Sequence, residues 1–437
     1  MNNTQNPITA LEKSTMSRTQ ITVVIIAIFL NALDGFDLLS ISFAAPGIAA
    51  EWGISRASLG VVLSMELIGM GIGALALGAV ADKLGRRAAT LSCLILMLSG
   101  MIAATMASGV ISLSIPRVIT GIGLGGMLAT CNAIVAEFSN AKRRQLCISL
   151  MVIGFSIGGV VGGFIATKLL AHFDWRSVFY FGSAVTLLAI PIVYFLVPES
   201  IHWLARTRPD NALEKINKTL HKMGYTPAHK LPELPNTAQT SSIADIFSSK
   251  LLQQTLLITT VYLLHAITFY FTLKWAPKIV VDLGYHPSTA GTVLVWANVG
   301  GALGGIAFGF LSQRFNLKTV FCSVLLMSGL TVIAFGHTAS SLSSLSFFCA
   351  LNGFFCVAGL AGTYTTMAQI YPTHVRGFGT GFTLSIGRGG AICSPILAGL
   401  LFSMNMDLPT ISFFMAAGSI LAAFILLFLK LQPVAQS

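Results

Sequence analysis

Twelve apolar stretches, each long enough to cross a bilayer, dominate this chain and leave it few folds to adopt. A helix needs about 20 apolar residues to cover the hydrocarbon. Such runs lie near 20–48, 58–81, 88–107, 111–133, 146–171 and 176–197, then near 253–280, 288–313, 318–337, 341–369, 376–402 and 408–430. Inside lipid every backbone N–H and C=O must be satisfied within the segment, so runs of this length read as helices. The expected fold is therefore an all-α polytopic membrane protein of twelve transmembrane helices. Composition agrees, because 54% of the residues are hydrophobic and only 9% are charged, against roughly 25% in a soluble domain. The 42 glycines suit helices that approach backbone to backbone in lipid.

The interval 198–252 is the long polar stretch between spans, and it separates an N-terminal six-helix half (20–197) from a C-terminal six-helix half (253–430), with tails at 1–19 and 431–437. The apolar run from Ile21 exceeds a signal-peptide core and lacks a small-residue cleavage site, so it is expected to remain as the first span. With both tails and the 198–252 loop in the cytosol, nineteen of the 26 Lys and Arg residues fall on the cytosolic side and four on the other. That bias sets orientation, and a bacterial inner (cell) membrane with both termini cytosolic is the expected location. The same clusters account for the net charge of +11, so no nucleic-acid partner is expected. Seven cysteines, among them Cys93, Cys131 and Cys393, sit singly in apolar runs without CxxC spacing and read as packing residues. The polar segments hold no metal-ligand set, nucleophile triad or phosphate loop, so neither a cofactor, a metal nor an enzymatic activity is expected. The Gly121-Ile-Gly123-Leu-Gly125-Gly126 run matches GxGxxG but lies in a membrane span with no preceding strand, and reads as a packing face.

An internal repeat is visible. Gly78-Ala-Val-Ala-Asp82-Lys83-Leu-Gly85-Arg86-Arg87 closes the second span and Gly309-Phe-Leu-Ser-Gln313-Arg314-Phe-Asn316-Leu-Lys318 closes the eighth, 231 residues later. Glu137 and Arg144 are echoed by Gln369 and Arg376 at an offset of 232. Two similar halves imply a midplane site exposed to each side in turn. The Asp82 to Arg87 loop resembles the signature between helices two and three of the major facilitator superfamily. Arg117 with Gly121, Gly123 and Gly125 resembles its helix-four motif, and Pro198-Glu199-Ser200 fits after helix six. Within it, Asp34-Gly35-Phe36-Asp37, Tyr371-Pro-Thr-His-Val-Arg376 and Gly387-Arg388-Gly-Gly390 with Pro395 resemble the aromatic acid:proton symporter family. The resemblance implies the major facilitator fold and import of an aromatic or related carboxylate by proton symport.

Ionisable groups within spans are costly and usually functional. Asp34 and Asp37 lie three residues apart in the first span, hence on one face, and two carboxylates so close do not both ionise easily. That suits a proton carrier; the competing reading makes one of them a cap on a helix broken beside Gly35. Arg388, near mid-depth of the eleventh span, offers a fork that binds a carboxylate bidentately, or else a permanent partner for Asp34 or Asp37. Arg117 is open to pairing with an aspartate or steering substrate, and the resemblance favours proton coupling. Glu66 and Lys274 complete a set of three acids and three bases, open to a gate salt bridge, snorkelling or substrate contact. Asn298, Trp296 and Trp275 are further candidates for the substrate site.

A coupling scheme follows: protonation of Asp34 or Asp37 frees Arg388 for the substrate anion, and the nearly neutral loaded site crosses. Asp82, Arg86, Arg87, Glu137, Arg144 and Arg376 are the candidates for a cytosolic gate. The expected partners are a small organic anion, protons and the bilayer, with the chain acting as a monomer. An exporter of the same fold is the alternative, but Gly159 stands in the fifth span where exporters of this superfamily resemble a proline-containing pattern.

Overall fold

The computed structural model describes residues 7–231, 246–248, 251–338, 341–372 and 375–429, and among them twelve helices are long and apolar enough to span a membrane. Each covers one of the apolar runs, with its ends displaced by five residues or fewer. The tail 431–437, with Lys430, lies outside the described residues. The chain forms two compact units.

The first unit comprises Met1–Leu38, Ile68–Gly159 and Phe179–Thr237. It contains α1 (Pro7–Lys13), α4 (Arg86–Thr105), α5 (Val110–Phe138), α8 (Ile201–Thr207) and α9 (Ala212–Met223). Parts of α2 (Arg18–Trp52), α3 (Arg56–Leu84), α6 (Arg144–His172) and α7 (Arg176–Leu196) complete it. Val23, Leu30, Leu94, Met97, Leu124 and Met127 belong to one buried cluster. α2 runs unbroken through Gly35, whose missing side chain lets the Phe155 carbonyl of α6 approach. Asp34 and Asp37 therefore lie inside a continuous helix, and neither caps a break. The end carrying α1, α8 and α9, here termed basal, is tied by hydrogen bonds from Gln20 Nε2 to the Phe138 carbonyl (2.8 Å) and from Asn140 Nδ2 to the Ser14 carbonyl (2.9 Å).

At that end Gly85 precedes α4 with φ of 101°. Glu199, just after α7, accepts from the backbone N–H of Arg86 at 2.7 Å and of Arg87 at 3.3 Å, so its carboxylate meets the exposed donors and the dipole of the α4 N-terminus. A Cβ on Gly85 would run into that carboxylate. Gly85→Ala is therefore expected to cost about 1–3 kcal/mol, read as a lower midpoint for thermal unfolding in detergent.

The second unit comprises Leu39–Leu67, Val160–Val178 and Ala238–Ser437. Its helices are α10 (Leu252–Asp282), α11 (Pro287–Arg314), α12 (Leu317–His337), α13 (Leu342–Ile370), α14 (Arg376–Ser403) and α15 (Leu408–Leu427), joined by the adjoining ends of α2 and α3 and of α6 and α7. Ile258, Val261, Phe321, Leu325, Met367 and Leu426 share its core. Buried His265 links α10 to α13 and α15: Nε2 lies 3.0 Å from the Cys356 carbonyl and Nδ1 2.8 Å from Ser419 Oγ. A carbonyl only accepts, so Nε2 carries the proton and Nδ1 accepts from the serine.

The repeat read from the loops extends to packing. Gly69 and Gly73 of α3 would, with a Cβ, strike the carbonyls of Val118 and Ile122 on α5, and Gly300 and Gly304 of α11 would strike those of Ala350 and Phe354 on α13. The glycines stand 231 residues apart and their partners 232, the two offsets of the loop echoes. Close approach at small residues is how helices hold one another in lipid, where apolar surface alone gives no drive to associate.

Candidate functional site

Asp34 and Asp37 are 5% and 0% exposed. Among the described residues neither carboxylate oxygen of Asp34 has a hydrogen-bond partner. Its electrostatic neighbours are Asp37 on its own helix, Cys93 of α4 and Cys131 of α5. Arg117 of α5 is fully buried, donates from Nη2 to the Asp37 main-chain carbonyl at 3.2 Å, and lies over the Phe179 ring at 5.2 Å. The structure thus brings Asp34, Asp37 and Arg117 together in the first unit. The surroundings of the two acids differ: Arg117 donates to the backbone at Asp37, while Asp34 is within electrostatic reach of Cys93 and Cys131 as well as of Asp37.

Arg388 lies on α14 in the second unit. It acts electrostatically on Tyr262 and Tyr270 of α10 and on Tyr364 of α13, and Gly387 beside it leaves room for the Tyr262 ring. A guanidinium among phenol rings and hydroxyls suits a flat ring bearing a carboxylate, which needs a planar charged fork and aromatic walls. The tyrosines were not singled out from sequence. A signal was present: Tyr262, Tyr270 and Lys274 recur at intervals of eight and four, one stripe along α10. Asn298 is buried, with its amide nitrogen donating to the Leu294 carbonyl one turn back at 2.9 Å. Trp275 donates to the Pro395 carbonyl at 3.2 Å, and Trp296 is half exposed.

Glu66 and Lys274 form an ion pair at 3.3 Å with both side chains fully buried. Of the roles left open by sequence, the structure shows the salt bridge, joining α3 to α10. Snorkelling is excluded for Lys274, because its ammonium is enclosed.

Of the gate candidates, Asp82, Arg86 and Glu137 meet. Arg86 reaches Asp82 Oδ1 at 3.0 Å and Glu137 Oε1 at 3.0 Å. Arg87 instead lies over the Tyr194 ring at 4.7 Å and donates to that residue's carbonyl. Among the described residues Arg144 joins no acid of this cluster; it pairs with Glu12 of α1 at 3.1 Å. Arg376 belongs to the second unit and donates to the Tyr371 carbonyl at 3.2 Å. Positive-inside topology places arginines at helix ends without saying which acid each will find, so sequence alone grouped too many of them. It also left out Glu199, His202 and Glu12.

A cavity of about 170 Å³ lies against this ion cluster, lined by Asp82, Arg86, Glu137, His202, Trp203 and Arg206. Trp203, in its wall, donates to the Asp82 carbonyl at 2.8 Å. Burial pushes the His202 imidazole below its usual value, against the pull of Glu137 and Glu12. The folded protein then binds this proton less readily than the unfolded chain, so the stability contributed by neutral His202 is complete above about pH 6.5 and is lost as pH falls through the lower folded value. Burial raises Glu199, which gives the opposite slope from about pH 4.5 upward. His202→Gln should remove the acid-side loss, measured as thermal midpoint against pH in the two proteins.

The family model for the Major Facilitator Superfamily matches residues 25–279 and 258–437. The gallate transporter of Pseudomonas putida is 30% identical over 395 residues, 89% of this chain and 86% of that protein. The 4-hydroxybenzoate transporter PcaK of Pseudomonas putida is 30% identical over 389 residues, 87% of this chain and 86% of that protein. Among solved structures, the xylose transporter XylE from E. coli, in a partially occluded inward open conformation, matches with a TM-score of 0.72 at 17% identity, covering 95% of this chain and 99% of that one; this likeness concerns the fold. The chain is a multi-pass membrane transporter and not an enzyme, and it belongs to the major facilitator superfamily, in the aromatic acid:proton symporter family that its motifs resemble.

Proposed function

We propose that this transporter imports an aromatic carboxylate together with a proton, by alternating access, across a bacterial inner membrane with its basal end in the cytosol. The observation that carries the reading is Asp34. A carboxylate enclosed in a membrane helix with no hydrogen-bond partner among the described residues costs several kcal/mol if it stays charged, and a proton is the smallest ligand that removes the charge. The same enclosure that makes Asp34 costly makes it a proton site with two well-separated states. Arg388 supplies the complementary site: its fork holds the substrate carboxylate while Tyr262, Tyr270 and Tyr364 face the ring.

Asp34 belongs to the first unit and Arg388 to the second. Coupling requires that proton and anion enter as a set, so that the moving protein carries little net charge through the hydrocarbon. Relatives named for gallate and 4-hydroxybenzoate support an aromatic acid as cargo, and the excess of Lys and Arg at the basal helix ends supports the orientation. Asp82, Arg86 and Glu137 serve in this reading as the cytosolic latch. The test is uptake by proteoliposomes under an inward pH gradient, screened over benzoates, hydroxybenzoates, cinnamates and aliphatic diacids. Uptake of hydroxybenzoates above diacids is the expected order; preference for aliphatic diacids, or uptake indifferent to the pH gradient, would contradict it.

A further inference from the structure

Along the second unit, the first turns of α3 are closed against α10 and α14 by a graded seam. At its rim Arg56 pairs with Asp282 at 3.1 Å, and Ser403 Oγ accepts from the Ala57 N–H at 3.0 Å. Below the rim Gly60 packs directly on the main chain of Pro395 and Gly399, and Ser64 Oγ donates to the Ile392 carbonyl at 2.8 Å. At the bottom lies the Glu66–Lys274 pair, with no exposure on either side chain. At 1.5 Å per residue Lys274 stands about 12 Å below Asp282 on α10, and Arg388 about 22 Å below Ser403 on α14. Tyr270, one turn from Lys274, is within electrostatic reach of both Glu66 and Arg388. The seam therefore leads from the rim to the paired lysine, then to Tyr270, then to the guanidinium.

A dry ion pair usually costs more to bury than its attraction returns, and an apolar pair of equal size serves stability as well or better. Its retention at this depth calls for another use. Sequentially placed cations along a path are the means by which an anion is handed inward, each exchange replacing one carboxylate by another.

We propose that Lys274 is a specificity-determining contact for the incoming anion: Glu66 holds it while the seam is shut, and the substrate carboxylate displaces Glu66 when the seam opens, before passing to Arg388. The proposal rests on the reading of the protein as an importer of aromatic carboxylates, with the rim of the seam outside. Glu66 is then a built-in competitor for the substrate, and removing it has the opposite effect on apparent affinity from removing the lysine. A pair retained only for packing would shift both variants the same way.

The experiment is uptake of 4-hydroxybenzoate by the full-length protein in proteoliposomes, comparing wild type, Glu66→Gln, Lys274→Gln and the charge exchange Glu66→Lys with Lys274→Glu. Lys274→Gln is expected to raise KM roughly tenfold, and Glu66→Gln to lower it, with smaller changes in maximal rate. The exchange variant restores a buried pair, so its thermal midpoint should stay near that of wild type while its KM rises as in Lys274→Gln. Same-direction shifts in the two single variants, or a wild-type KM in the exchange variant, overturn the role of Lys274. Wild type that carries no aromatic acid overturns the reading of function instead, and with it the ligand named here.

Discussion

Asp34→Asn is expected to take up substrate no further than equilibrium. A pH difference of one unit is worth about 1.4 kcal/mol per proton, so a two-unit inward gradient sustains roughly 100-fold accumulation of an anion carried with one proton. Asparagine fills almost the same volume but cannot gain or lose the proton, so the gradient no longer acts and the accumulation ratio should fall to about one. Exchange of labelled for unlabelled substrate needs no net proton movement and should persist in the variant. That split between lost accumulation and retained exchange separates a carrier residue from one whose loss misfolds the protein. Asp37→Asn makes the comparison: its backbone is held by Arg117, and the larger loss is expected at position 34, whose carboxylate has no hydrogen bond among the described residues.

Arg388→Ala should be as damaging by a different route. Truncating one side of a buried charge pair typically costs 2–5 kcal/mol, which is a rise in KM of roughly 30-fold to several thousand-fold. Arg388→Lys keeps the charge near the three tyrosines and loses the planar fork. It should retain transport with a KM raised about tenfold, and with less discrimination between benzoates and aliphatic acids. Accumulation at saturating substrate should be preserved in Arg388→Lys, since the proton site is untouched. A lysine variant with wild-type KM would mean that the guanidinium serves as a structural cation and not as an anchor.

Much of this molecule was legible in its residues because membranes restrict what a chain can do. Twelve apolar runs become twelve helices, since no other structure satisfies the backbone in lipid, and the 231-residue echo in the loops returns as matched glycine contacts between α3 and α5 and between α11 and α13. The buried acids of α2 were legible for the same reason: a carboxylate in a span stands out against its surroundings. What could not be read was pairing. Nothing in the sequence says that Lys274 meets Glu66, 208 residues away, or that Arg144 turns to Glu12, because these choices depend on how helices rotate and approach. Tyr262, Tyr270 and Tyr364 were hidden by their ordinariness among many aromatic residues, and only the position of Arg388 gives them meaning. Glu199 was passed over as part of a short motif; its task of capping α4 appears only when Gly85 and the end of α7 are side by side.

The central claim is that a proton bound at Asp34 travels with the anion. It is tested most directly by adding 4-hydroxybenzoate to proteoliposomes without an imposed gradient and recording external pH. Alkalinisation on addition to wild type, absent with Asp34→Asn although labelled substrate still exchanges, is the expected result. Substrate entry into wild-type vesicles with no accompanying proton uptake would contradict it.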